Sequence, residues 1–206
     1  MMKKIPTLFV RKFENHIVTE VTREVTKGFE WVLDGKGQAT EKIDGACCAL
    51  IDGDLYKRYD AKKNKHGILK QPPEGAIPCG EADPVTGHWP HWVRVSYNNP
   101  EDKWFVSAYT NYRYIKEKCR LPEIWWKDGT YEAIGPHFQG NPYHLKEDIL
   151  VKHGEAIIDL ADRSYEGIRD YLKTHRIEGI VFWKDGEPQC KIKRKDFGFE
   201  WPIRQK

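Results

Sequence analysis

Lys42-Ile43-Asp44-Gly45 sets an amine two residues before a carboxylate and three before a glycine. Alone this pattern is weak. Average residue usage yields a K-x-D-G in roughly one chain in twenty of this length. Lys127-Asp128-Gly129 and Lys184-Asp185-Gly186 show how readily near-matches arise. The pattern gains meaning from partners further along: Arg58, Glu132-Ala133-Ile134-Gly135, and Glu178-Gly179-Ile180-Val181 followed by Lys191-Ile192-Lys193. A free lysine titrates at about 10.4, so it must lose a proton before it can act as a nucleophile. Nearby cations and partial burial favour that loss. Lys191, Lys193 and Arg58 are the candidates for such a positive field around Lys42.

These side chains need elements to hold them. Residues 46–51 (ACCALI) are a short apolar run, followed by Asp52-Gly53 and then Leu55-Tyr56-Lys57-Arg58-Tyr59. That order reads as a β-hairpin with a D-G turn. Lys42 lies just before its first strand and Arg58 on its second, so both are expected to face one cleft. A second hairpin is expected over Glu178–Trp183 and Pro188–Arg194, turning at Asp185-Gly186. Lys191 and Lys193 then share one face while Ile192 points into a core. The N-terminal Ile5–Val10 reads as a strand. A helix is expected over 101–118 after Asn99-Pro100, with Trp104, Ala108, Tyr112 and Ile115 on its core face. Another is expected over 164–174, capped by Ser164. Residues 71–92 carry Pro72, Pro73, Pro78, Pro84 and Pro90 and read as a long irregular excursion.

Composition sets looser bounds. The chain has 206 residues and a net charge of only +3, too mild to prove nucleic-acid binding. The distribution says more. Lys57, Arg58, Lys62, Lys63, Lys65 and Lys70 face one acid, Asp60, in the stretch 57–70, and residues 191–195 read KIKRK. Clustered cations suit a phosphate backbone, although a solvated basic face has the same look. Five cysteines without a C-x-x-C pair read as reduced thiols in a cytosolic protein. Cys79 with His88 and His91 lacks a fourth zinc ligand at sensible spacing. No run is apolar and long enough to span a bilayer, and no secretory leader is evident.

The full set of motifs, in this order, resembles the ATP-dependent polynucleotide ligases and mRNA capping enzymes. The resemblance runs from about residue 38 to 198. It implies an α+β fold: a single nucleotidyltransferase (ATP-grasp-like ligase adenylylation) domain of mainly antiparallel sheets flanked by helices. Residues 1–206 would form that domain, with 71–104 as an irregular insertion. The resemblance also implies roles. Lys42 is the nucleophile that carries AMP. Asp44 orients it and the metal-bound waters. Glu132 contacts the ribose, and Glu178 helps hold Mg²⁺ or Mn²⁺. Glu41, Arg58, Lys191 and Lys193 line the ATP site. The side chain that stacks on adenine is open: Val151 or His153 lies in the right interval, with Phe138 and Tyr143 as alternatives.

Only 13 residues follow Lys193, too few for the OB-fold found after this motif in DNA ligases and capping enzymes. The 41 residues before Lys42 lack the features of an NAD-specific module, so ATP is the expected cofactor. YEAIGPHFQGNPY and EGIVFW…KIKRKDFG are similar to the small 5′-3′ RNA ligases of vertebrates, viruses and bacteria. The expectation is therefore a cytoplasmic RNA ligase without an obligate protein partner. It would join 5′-phosphate to 3′-hydroxyl RNA ends, with Trp89, Trp92 and Trp104 as possible base-stacking residues. A GTP-dependent capping guanylyltransferase and a catalytically lost nucleic-acid-binding module are the alternatives.

Overall fold

The computed structural model describes residues 5–14, 17–64, 66–83, 86–118 and 127–202. Lys65, Pro84 and the side chain of Ile115 lie outside the described residues. In chain order the strands are β1 (Phe9–Glu14), β2 (Ile17–Val25), β3 (Gln38–Glu41), β4 (Ala46–Ile51), β5 (Asp54–Ala61), β6 (Ile77–Pro78) and β7 (Trp89–Arg94). Helix α1 (Lys103–Lys118) follows, then β8 (Gly129–Ile134) and β9 (Ile149–Lys152), α2 (Tyr165–Thr174), β10 (Gly179–Lys184) and β11 (Glu187–Lys193). The described strands pair antiparallel, so the α+β expectation holds. The chain divides into two compact units. One is built on described residues within 44–153; the other on described residues within 5–43 and 154–202.

The first unit is a six-stranded sheet in the order β6-β7-β5-β4-β8-β9. The hairpin of β4 and β5 turns at Asp52 and Gly53, both at positive φ, as a tight D-G turn requires. Cys48 and Leu50 point to one face, where Ala108, Tyr109 and Tyr112 of α1 pack with Tyr131 and Leu150. Ala49 points to the other, against Cys79 and Trp92. Burial on both faces is why ACCALI reads as a continuous apolar run. Gly45, just before β4, has no room for a side chain: a Cβ there would collide with the Ala133 carbonyl and with Ile134.

Two expectations are corrected in this unit. The excursion over 71–92 ends in strand β7, which pairs with β5 from Tyr56–Arg94 to Ala61–Trp89. Proline weakens a strand reading because it removes a ladder donor; Pro90 is accommodated opposite Asp60, and its carbonyl accepts from Cys79 N–H at 2.9 Å. Trp104 is not a core residue. Asn99 caps a 3₁₀ turn, Pro100–Asp102, by accepting from Glu101 N–H, and this turn leads into α1, which buries Ala108 and Tyr112 but leaves Trp104 exposed.

The second unit pairs β1 with β2 and, separately, orders β11-β10-β3. Its core joins Leu8, Phe9, Ile168, Leu172, Ile180, Phe182 and Ile192. Ser164 caps α2 by accepting from Gly167 N–H at 3.0 Å. The N-terminal strand begins at Phe9 rather than Ile5. The preceding residues instead lie along β11, where Leu8 N–H donates to the Lys191 carbonyl and Lys191 N–H to the Pro6 carbonyl. Cys190 and Ile192 are fully buried while Lys191 and Lys193 are not, which is the alternation expected of β11. Ile192 anchors the strand; truncating such a residue to alanine typically costs about 2–5 kcal/mol.

Candidate active site

In the second unit, β3 delivers Lys42 to the start of β10. Lys42 N–H donates to the Gly179 carbonyl at 2.8 Å. Gly179 sits so close to β11 that a Cβ would collide with the Ile192 carbonyl. The Lys42 ammonium donates to Glu178 Oε2 at 2.6 Å, and the Lys193 ammonium donates to Glu178 Oε1 at 2.7 Å. Glu178 is buried, so one carboxylate holds two lysines, one on each oxygen. Lys191 is the third. Burial first, then the charges of Lys193, Lys42 and Arg11, push its ammonium down to about 8, against the pull of Glu178. Glu41 closes β3 beside Ile180, and burial raises its carboxyl.

Arg11 and Asp196 belong to this cluster and were not anticipated. Asp196 Oδ2 accepts from Lys193 N–H at 2.8 Å, and its Oδ1 takes Arg11 Nη2 at 2.5 Å. Asp196 stands three residues after Lys193 at the start of a helical turn, the spacing of a capping box, and that was the available signal. Arg11 carried none beyond its place in a strand. The KIKRK run is not wholly phosphate-facing. Arg194 is buried and donates to the carbonyls of Leu172, His175 and Glu200, so it ties α2 to the chain end.

In the first unit, the register aligns the other expected residues in a row across one sheet face. Arg58 opposes Trp92, Cys47 opposes Glu132, and Glu132 opposes Val151. Extending the β4–β5 register one pair beyond Cys48–Lys57 sets Cys47 beside Arg58. Directly opposed residues share a face and lie about 5 Å apart. Burial, then the charge of Glu132, pushes the Cys47 thiol well above its ordinary value, with Arg58 opposing. A thiol so held stays neutral and is a poor nucleophile. Arg58 Nε donates to Asp60 Oδ1 at 2.8 Å, an oxygen that also lies 3.1 Å from His88 Nε2.

Glu132 is buried and held by His153, whose Nε2 lies 3.1 Å from Oε1 and whose Nδ1 lies 2.8 Å from Thr130 Oγ1. Glu132 Oε2 is buried with no hydrogen-bond partner among the described residues. An unmatched buried carboxylate oxygen is costly unless a ligand completes it. His153 therefore orients Glu132, a role its sequence position did not reveal. Phe138 is in the core, and Tyr143 OH accepts from Asp44 N–H at 2.7 Å. Lys57 is removed from the basic run: it donates to buried Asp102 at 2.5 Å. Trp92 is also buried and cannot stack on a base.

Among the described residues, no three His, Cys, Asp or Glu side chains converge as a preformed metal site. The second unit's cluster nevertheless has more cations than carboxylates. It suits a divalent ion that arrives with phosphates, since Mg²⁺ is commonly held by one or two carboxylates plus phosphate oxygens. No described helix is long and apolar enough to cross a membrane.

The chain is similar to curated proteins named RNA ligase 1. That of Pongo abelii is 26% identical over 222 residues, covering 80% of this chain and 68% of the relative. That of Rattus norvegicus is 27% identical over 224 residues, and that of Danio rerio 26% over 223, with the same coverage. No protein-family model matches the chain.

Proposed function

We propose that this chain, a relative of the RNA ligases, is itself a cytoplasmic ATP-dependent RNA ligase with a nucleotidyltransferase-type fold, acting in RNA repair. It would join 5′-phosphate and 3′-hydroxyl ends. The observation that carries the reading is Glu178 gripping both Lys42 and Lys193, with Lys191 beside them. In step one Lys42 Nζ attacks the α-phosphorus of ATP. A nitrogen–phosphorus bond forms, the bond to the bridging oxygen breaks, pyrophosphate leaves, and the amine proton passes to solvent. Lys191, Lys193 and Arg58 oppose the charge that grows on the phosphates. Glu132 accepts a ribose hydroxyl on its open Oε2, and Val151, opposite it in the sheet, offers adenine an apolar surface. Mg²⁺ or Mn²⁺, held by Glu178 and Asp44, would supply further neutralisation of phosphate charge.

Step two moves AMP from Lys42 to the RNA 5′-phosphate, breaking the nitrogen–phosphorus bond and forming a 5′-5′ pyrophosphate. In step three the 3′-hydroxyl attacks the RNA phosphorus and AMP departs. The test is incubation with α-labelled ATP, GTP or NAD⁺ and Mg²⁺, followed by a denaturing gel. An acid-labile adduct should form from ATP and vanish in Lys42→Ala. Wild-type labelling of Lys42→Ala would overturn the nucleophile. Efficient labelling from GTP would favour a capping guanylyltransferase, and RNA binding without any label a binding module.

A further inference from the structure

Trp104 and His137 form an aromatic pair that none of these steps uses. Their ring centroids are 3.3 Å apart and their planes 8° from parallel, close to the roughly 3.4 Å rise between stacked bases. Trp104 as a residue is 37% exposed and the His137 side chain 38%. The imidazole is nonetheless fixed. Nδ1 lies 2.7 Å from Asp148 Oδ2, and His137 N–H donates to Asp148 Oδ1 at 3.2 Å. Asp148 is buried, and its carbonyl accepts from Asn111 Nδ2 at 2.9 Å. Nδ1 is committed to the carboxylate and one ring face to Trp104, which leaves the other ring face as the one a base could reach. Lys103 sets its ammonium 4.5 Å from the indole centroid.

We propose that Trp104 and His137 are a stacking platform for an unpaired nucleotide of the RNA substrate, whose base lies on the open face of His137 and whose phosphate pairs with Lys103. The inference rests on the RNA ligase reading and deepens it. A stack of two rings, held rigid and ending in an exposed aromatic face, is the chemistry that binds a splayed base. Lys103 provides the backbone charge such sites combine with stacking.

The test is fluorescence anisotropy with a short labelled single-stranded RNA, run beside Lys42 adenylylation. Trp104→Ala and His137→Ala should each weaken RNA binding by about tenfold and leave ATP-dependent labelling unchanged. His137→Phe keeps an aromatic face and should retain most binding. Alanine variants that bind RNA like the wild type while labelling normally would overturn the platform. So would a His137→Phe protein that labels normally yet binds as poorly as His137→Ala. A wild type that takes no label from ATP would count against the ligase reading instead, and the binding comparison among variants would still decide the platform.

Discussion

Lys193 occupies Glu178 Oε1 at 2.7 Å, the oxygen that Lys42 leaves open. Removing the carboxylate would strip both lysines of their shared acceptor and leave Lys42, Lys191 and Lys193 in mutual repulsion. Glu178→Ala should therefore lose adenylylation by about a hundredfold or more, the effect of about 3–4 kcal/mol of lost preorganised charge. Glu178→Gln keeps one acceptor oxygen and should fall between. Labelling rates measure the effect and circular dichroism checks the fold. A Glu178→Ala protein that labels near normally would make this glutamate a structural residue only.

Lys191 gives the site a pH dependence. Its folded pKa is lowered to about 8 by burial first and then by Lys193, Lys42 and Arg11, against an unfolded value of about 10.4. The unfolded chain therefore holds more protons between those values. The contribution of Lys191 to stability is present above the unfolded pKa and is lost as pH falls through about 8. Binding runs the other way, because a triphosphate favours the charged amine. ATP affinity should fall as pH rises through about 8, and binding near that pH should take up a proton. Calorimetry in buffers of different ionisation enthalpy measures the uptake. Lys191→Arg stays charged throughout and should abolish it; unchanged uptake in that variant would assign the proton elsewhere.

Local patterns were legible in the sequence and distant pairings were not. The hairpin turns at Asp52-Gly53 and Asp185-Gly186, the Ser164 cap and the alternation of Lys191, Ile192 and Lys193 follow from neighbouring residues alone. The ion pair of Lys57 with buried Asp102 joins residues 45 apart, and Arg11 meets Asp196 across 185. Nothing local marks either pair. Helical spacing grouped Trp104 with Ala108 and Tyr112, but spacing does not say where a buried stripe ends, and Trp104 lies beyond the edge. Five prolines hid β7, since its partner β5 is the element that makes it a strand.

Glu132 offers a prediction about the nucleotide. Its Oε2 is buried with no hydrogen-bond partner among the described residues, while His153 holds Oε1. A hydrogen bond from a ribose hydroxyl to a charged carboxylate contributes about 1.5–3 kcal/mol. Wild type should therefore prefer ATP to one of 2′-deoxy-ATP and 3′-deoxy-ATP by roughly tenfold to a hundredfold in kcat/KM for adenylylation. Glu132→Ala should lose that preference, and His153→Ala should blunt it. Preference for the intact ribose undiminished in Glu132→Ala would place the ribose contact on another residue.

The last prediction concerns the nucleic acid. Of the basic run at 57–70, Lys57 is committed to Asp102 and Arg58 to Asp60, while Lys62, Lys63 and Lys70 are exposed. Exposed lysines neutralise phosphates without reading sequence or sugar, and each phosphate neutralised steepens the salt dependence by about 0.7 on a single strand. Replacing Lys62, Lys63 and Lys70 together by alanine should weaken end joining and make the log–log salt slope shallower by about 2. Adenylylation from ATP should persist, because that step involves no RNA. Discrimination of RNA from DNA needs contact with a 2′-hydroxyl. Joining should therefore require ribonucleotides at the 3′-hydroxyl end, in the variant as in the wild type, and all-DNA ends should seal poorly. Matched RNA and DNA substrates, nicked and single-stranded, over a salt series measure both effects. Equal sealing of an all-DNA nick would overturn the RNA assignment and leave the lysine chemistry standing.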